Sequence, residues 1–239
     1  MHIRHSVGQQ AQNDPADVRV VQQLLNQAGA LDSTGRPLSV DGLAGRNTFD
    51  GIKSFQKEVV GTLTPDGRID PAKLTFSKLT QTAEEFSLFV ATIYGEAGKS
   101  SEAAWKAIAW VIVNRIGTRE WAAFQSAKAV IQNTGFDAYT QRTAPFNHGL
   151  TAMRHRSSHH IDPVVERLIK AVRPAYLNIG ADPTSNAVLY FSPKAQAALH
   201  KSSPSMYKRD TPPWKFELLK EISIPGLLSS DDFRFYAYK

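Results

Sequence analysis

Among the residues of this 239-residue chain, Glu96 has the setting that acid–base chemistry asks for. It stands in Tyr94-Gly95-Glu96-Ala97-Gly98, between two glycines, beside an aromatic ring and just before a strongly apolar helical stretch. A general acid needs its carboxyl half buried, so that desolvation lifts its pKa toward working pH. A substrate must also approach the backbone closely, which glycine permits. The pattern predicts an apolar helical face that stops at Gly95, with Glu96 fixed at the break and Tyr94 helping to keep it protonated. A rival chemistry lies in Met153-Arg154-His155-Arg156-Ser157-Ser158-His159-His160. His155 and His159 have the i, i+4 spacing that can hold zinc on a helix, as a zinc-dependent amidase or peptidase would require. No glutamate sits beside either histidine, and Ile161-Asp162-Pro163 reads as loop. The default there is a solvated basic loop, and no metal or other cofactor is assigned.

Composition narrows the classes. The chain is 42% hydrophobic and 21% charged, ordinary values for a globular protein of one large or two modest domains. No run of about eighteen apolar residues exists, so membrane insertion is not expected. Zero cysteines exclude disulfides, thiolate catalysis and cysteine-based zinc sites. The net charge of +6 favours an anionic partner. The basic residues are scattered rather than gathered in the stripe of a nucleic-acid binder; a bacterial envelope is also anionic, and the charge does not choose among these surfaces or exclude a role in solubility alone.

The elements that must position Glu96 fall into two parts, 12–79 and 84–239, joined near Leu74 to Ala83. In the first, Asp14-Pro15 supplies an N-cap with proline at the first helical position, and Val18, Val21, Leu25 and Ala28 share one face up to Gly29. A second helix places Phe49, Ile52, Phe55 and Val59 inward and ends at Gly61. Two Asp-Gly turns, Asp41-Gly42 and Asp66-Gly67, recur 25 residues apart. In the second part Phe86, Phe89, Val90 and Ile93 form an apolar face, and Ser101 caps a central helix through Ile116. A minor strand is expected around Val188 to Ser192, and the aromatic tail from Ile224 to Lys239 should pack back on this part. The fold class is mainly α with a small β contribution.

The first part resembles the small three-helix peptidoglycan-binding domain of wall hydrolases. The resemblance rests on Val18 to Leu25 with Gln22 and Gln23, on Val40-Asp41-Gly42-Leu43-Ala44-Gly45-Arg46-Asn47-Thr48, and on Phe55-Gln56. Ala44 stands where that family usually has phenylalanine. The resemblance makes Asp41, Arg46 and Asn47 the candidate wall-binding residues.

Residues 86–238 are similar to the cell wall hydrolase SleB family, which has a lysozyme-like fold. The likeness lies in Ile93-Tyr94-Gly95-Glu96-Ala97 and Val111-Ile112-Val113-Asn114-Arg115. It continues in Phe136-Asp137-Ala138-Tyr139, Ala187-Val188-Leu189-Tyr190-Phe191-Ser192, Pro213-Trp214 and Phe235-Tyr236. Asp137 departs from a position where a small hydroxyl residue is common, and Arg142 to His160 has no counterpart. The resemblance implies cleavage of the β-1,4 bond between N-acetylmuramic acid and N-acetylglucosamine, with Glu96 as the acid. A muramidase also needs a second carboxylate, for which Asp137 is the candidate. A lytic transglycosylase needs none, because the muramic acid 6-hydroxyl attacks and Glu96 serves first as acid, then as base. Tyr94, Asn114, Tyr139, Tyr190 and Ser192 are the candidate substrate or orienting groups. Loss of activity, leaving a peptidoglycan binder, is the third alternative.

The expected partner is peptidoglycan glycan, met by a monomer whose binding part raises the local concentration of an insoluble substrate. The N-terminus has no hydrophobic core of a signal peptide. The expectation is synthesis in the cytoplasm and action on peptidoglycan in the periplasm or wall. Delivery would be through a holin-type pore, as for a phage endolysin, or through a secretion machine, as for an antibacterial effector.

Overall fold

The computed structural model describes residues 1–205 and 209–239. Strand β1 (Val7–Gly8) opens the chain and helix α1 (Pro15–Gln27) follows. The Asp14 side chain accepts hydrogen bonds from the N–H groups of Ala16 and Asp17, satisfying donors that α1 would otherwise leave open. Helix α2 (Arg46–Phe55) continues as a π-helical turn to Val60, and strand β2 (Arg68–Ile69) pairs antiparallel with β1. Val18, Val21, Leu25, Ile52, Phe55 and Ile69 bury together with Ile3 and Val7. The N-terminal residues therefore belong to this small core. Phe49 does not; it is half-buried at the module surface, unlike the inward position its spacing predicts.

The recurring Asp-Gly turns have one shared cause. The Gln22 amide donates to Asp41 Oδ1 (2.9 Å) and accepts from Gly42 N–H (3.0 Å). The Gln56 amide donates to Asp66 Oδ1 (2.6 Å) and accepts from Gly67 N–H (2.9 Å). Each buried glutamine satisfies the polar groups of one turn, so a tight loop can sit against an apolar core without orphaned donors.

Helix α3 (Leu74–Ala97) crosses the expected joint without a break. Phe76, Leu79 and Ala83 pack in the small core, while Phe86, Phe89, Val90 and Ile93 pack in the larger one. What sequence reading takes for a linker is one helix serving two cores. It also runs past Gly95, so Glu96 lies in its last turn rather than at a break.

The larger core is built on α3, α4 (Glu102–Arg115), α5 (Ala127–Asn133), α6 (Asp137–Thr140), α7 (Ala144–Arg154) and α8 (Pro163–Tyr176). Ser101 caps α4, and Trp105 Nε1–H donates to Ala97 O at 2.7 Å, fixing α4 to the end of α3. Strand β3 (Leu189–Phe191), helix α9 (Pro193–Ser202), and strands β4 (Leu219–Ile222) and β5 (Arg234–Tyr238) complete the fold. The sheet order is β3-β5-β4, all antiparallel, with Tyr190 opposite Phe235 and Leu219 opposite Tyr238. The C-terminal tail thus supplies the central strand. No described helix is long and apolar enough to cross a membrane.

The histidine stretch takes a different role from a solvated loop. α7 ends at Arg154, so His155 and His159 do not share a helix face. His155 caps α7, and its ring Nδ1 lies 3.1 Å from Thr151 O. Between the exposed histidines, Arg156 is buried at 1% side-chain exposure. Its guanidinium grips Glu166 through Nε–Oε1 (2.6 Å) and Nη2–Oε2 (3.0 Å), and its Nη1 donates to Asn26 O (2.6 Å) and Ala30 O (3.1 Å). One side chain joins α8 to the end of α1.

Candidate active site

Glu96 is half-buried where α3 ends. Its Oε1 accepts from Ala138 N–H (2.8 Å) and its Oε2 from the Tyr190 hydroxyl (3.0 Å). Both oxygens are therefore aimed by groups on other elements, α6 and β3. Burial lifts the Glu96 carboxyl above its ordinary value. The Ala138 and Tyr190 bonds draw it partly back, the charge of Asp137 pushes it up, and the Arg115 guanidinium pulls it down. The net is a carboxyl that holds its proton to higher pH, as a general acid requires. Burial also raises the Tyr190 phenol well above its ordinary value, so it remains a donor to Glu96. Gly95 is what lets α6 come this close. A Cβ there would lie 2.5 Å from Ala138 Cβ and 3.0 Å from Phe146 Cβ.

Glu96 lines two cavities. One, about 510 Å³, holds Asp137, Tyr190, Ser192, Arg115, Trp121 and Trp214. The other, about 580 Å³, holds Tyr94, Lys99, Ala144, Pro145 and His148. The first has the amphipathic rings that suit sugar faces. Tyr190 packs between Phe235 (5.8 Å, stacked) and Phe233 (5.9 Å, edge-on). Trp214 meets Phe191 edge-on at 5.7 Å.

Of the residues singled out from sequence, Glu96, Asp137, Tyr190 and Ser192 share the first cavity. Asp137 is exposed, one residue before the N–H that holds Glu96. Ser192 caps α9 and donates to Asp232 Oδ2 at 2.5 Å, an orienting role at the cavity edge. Tyr94 faces the second cavity and stacks on His148 at 5.4 Å. Tyr139 lines neither cavity; it packs edge-on against Phe146 (5.9 Å) and under the Arg142 guanidinium (4.4 Å). Asn114 points away from Glu96. Its amide donates to Asp182 Oδ2 (3.0 Å), Thr184 Oγ1 (3.2 Å) and Ala187 O (3.0 Å), so it braces the segment entering β3 and does not line the Glu96 cavities.

Arg115, the next residue, is the group the sequence leaves unassigned. A helix turns about 100° per residue, which puts its side chain on another face from Asn114. It is buried at 6% exposure, with Nε donating to Val188 O (2.7 Å) and Nη1 to Thr134 Oγ1 (2.8 Å). The guanidinium lies over the rings of Phe136 (4.9 Å) and Trp121 (5.1 Å). It therefore ties together the two segments that carry Tyr190 and Ala138. Burial pulls its pKa down to about 10, leaving it charged at neutral pH.

In the N-terminal module, the Asp41 carboxylate is committed to its turn by Gln22 and Leu43 N–H. Burial pushes its pKa up, but those hydrogen bonds outweigh it and hold the carboxyl below its ordinary value. Arg46, 92% exposed at the side chain, pairs with Asp50 at 3.6 Å, and Asn47 is exposed beside it.

Together these features describe a small helical binding module fused through α3 to a larger helical unit with a polar, ring-lined cavity around one buried carboxyl. Residues 14–76 match the family model of a peptidoglycan binding domain. The match supports association of this module with peptidoglycan and so with the cell wall. No curated protein and no solved structure matches the chain.

Proposed function

We propose that the chain is a peptidoglycan-cleaving glycosidase in which Glu96 protonates the leaving glycosidic oxygen. The observation that carries this reading is the Glu96 carboxyl itself. It is half-buried between two cavities, with both oxygens aimed by Ala138 N–H and Tyr190, and burial raises its pKa. The resemblance to the SleB family noted above supports the same assignment.

In this reading a glycan strand crosses from the ring-lined cavity to the Tyr94 side, with the scissile bond over Glu96. As the leaving oxygen takes the proton, negative charge develops on Glu96. The Tyr190 hydroxyl, Ala138 N–H and the nearby Arg115 charge stabilise it, a preorganised electrostatic arrangement that needs no rearrangement during the step. In the same reading Asp137, exposed on the wall of this cavity, activates water for hydrolysis, as a muramidase requires.

Mass spectrometry of muropeptides released from purified sacculi tests this. Reducing N-acetylmuramic acid ends, lost with Glu96→Gln and reduced with Asp137→Asn, are the expected result. Anhydro-muramic ends would replace water by the 6-hydroxyl and remove Asp137 from the mechanism. Free stem peptides, or an unaffected Glu96→Gln variant, would overturn the assignment.

A further inference from the structure

The N-terminal module carries a cavity of about 450 Å³ between the loop that follows β1, the first turns of α2 and the Asp66-Gly67 turn. Phe49 forms part of its wall. This ring is half-buried, stands outside the module core, and turns part of its surface to the cavity.

The rim opposite Phe49 is built to stay rigid. Asn13 accepts from Gly8 N–H (2.8 Å) and donates to Gly8 O (3.0 Å) and Ala11 O (3.2 Å). Gln9 N–H donates to Gly67 O at 2.9 Å, and Arg68 Nη1 donates to Gln10 O at 2.5 Å. Gln10 and Asn13 hold φ of +52° and +57°, in the left-handed region. Gly8 permits the closure, since a Cβ there would lie 2.0 Å from Gly67 O.

The polar groups around this cavity fall into two kinds. Arg68 is forked onto Asp70 Oδ1 (3.0 and 2.8 Å), and Asp66 Oδ1 is taken by Gln56 and by Arg68 N–H. Among the described residues, no hydrogen bond occupies the side-chain amides of Gln9 and Gln10. What remains for a ligand is one aromatic face and two amides, beside the Asp66 carboxylate and the Arg68 guanidinium.

We propose that this cavity binds an N-acetylated amino sugar of the wall glycan. The ring of Phe49 covers the C–H face of the pyranose, and Gln9 and Gln10 exchange hydrogen bonds with its acetamido and hydroxyl groups. The inference rests on the peptidoglycan association of this module and not on Glu96 chemistry. Gly8, Gln9, Gln10 and Asn13 lie outside the residues that match the family, and Phe49, Asp66 and Arg68 lie within them.

The test is an NMR titration of the isotope-labelled full chain carrying Glu96→Gln, with a tetramer of N-acetylglucosamine and, separately, a stem pentapeptide. The expected result is that the sugar shifts the amides of residues 8–13, Phe49 and Arg68. Phe49→Ala should weaken binding at those amides about tenfold, and Gln9→Ala, at an exposed position, should weaken it without touching the fold. Retention on sacculi should fall in parallel. Shifts confined to the Glu96 cavities, shifts with the peptide instead of the sugar, or both variants binding as the parent does would each overturn the proposal. None of these readouts depends on cleavage.

Discussion

Truncating Arg156 to alanine should cost this protein about 5 kcal/mol of stability. Most of that loss arises at Glu166, whose side chain is 11% exposed and whose two oxygens are both taken by the guanidinium. Removing one partner of a buried ion pair strands the other, at roughly 3–5 kcal/mol. Asn26 O and Ala30 O each lose a donor as well, at about 1 kcal/mol apiece. For a chain of this size each kcal/mol moves Tm by about 2–4 °C, so Tm should fall on the order of 10–20 °C. Calorimetry and urea unfolding read this directly. The decisive companion is the double variant Arg156→Met with Glu166→Leu. It removes both charges and leaves only the two carbonyls short of a donor, so its loss should stay near 2 kcal/mol. A fall of only a few degrees for Arg156→Ala, or an equal fall for single and double variants, would show that the stranded carboxylate does not dominate.

Glu96→Gln should abolish sacculus clearing yet stabilise the fold at neutral and higher pH. The native carboxyl has a folded pKa above its unfolded value, so its contribution is fully present below the unfolded pKa and is lost as pH rises through the folded one. Thermal melts at pH 4 and pH 8 check the sign, and an unchanged Tm difference between the two would contradict it. Tyr190→Phe removes a hydrogen bond that favours ionised Glu96, so the alkaline limb of the pH–activity profile should move upward while activity falls by roughly tenfold. Arg115→Gln should move that limb in the same direction through loss of the guanidinium charge, and a profile that merely scales down would leave Arg115 a packing residue. Gly95→Ala forces α6 away from α3, and the displaced Ala138 N–H should cost on the order of 100-fold in kcat with a far smaller effect on sacculus binding; comparing both readouts tests it.

The parts of this fold legible in the sequence were those governed by local chemistry. Asp14-Pro15, Ser101 and the Asp-Gly turns announce helix starts and reversals because their side chains or φ preferences satisfy nearby backbone groups. Glu96 was legible because its glycines and aromatic neighbour are contiguous with it. The rest depended on partners far along the chain. Glu96 meets Ala138 and Tyr190 across 42 and 94 residues, and no local pattern encodes such pairings. That the joint at 74–83 is helical was not legible, although Phe76, Leu79 and Ala83 at helical spacing carry the chain onward. Arg156 looked solvated among exposed histidines, since burial of a cation is set by Glu166 and by the carbonyls ending α1. Asn114 was singled out and its neighbour Arg115 was not, since only the rotation of α4 decides which one faces Glu96.

In the proposed reading, the unbroken helix α3 also makes the molecule a ruler. From Leu74 to Glu96 its axis spans roughly 33 Å at 1.5 Å per residue, with the small core packed on one end and the carboxyl on the other. A flexible linker would let the carboxyl sample a wide sphere of wall around each anchoring point. A stiff strut presents one patch of strand at one offset from the grip. Fragment lengths should then cluster about a preferred value instead of following the broad distribution of random scission, and inserting a flexible Gly-Ser segment after Ala83 should erase that clustering.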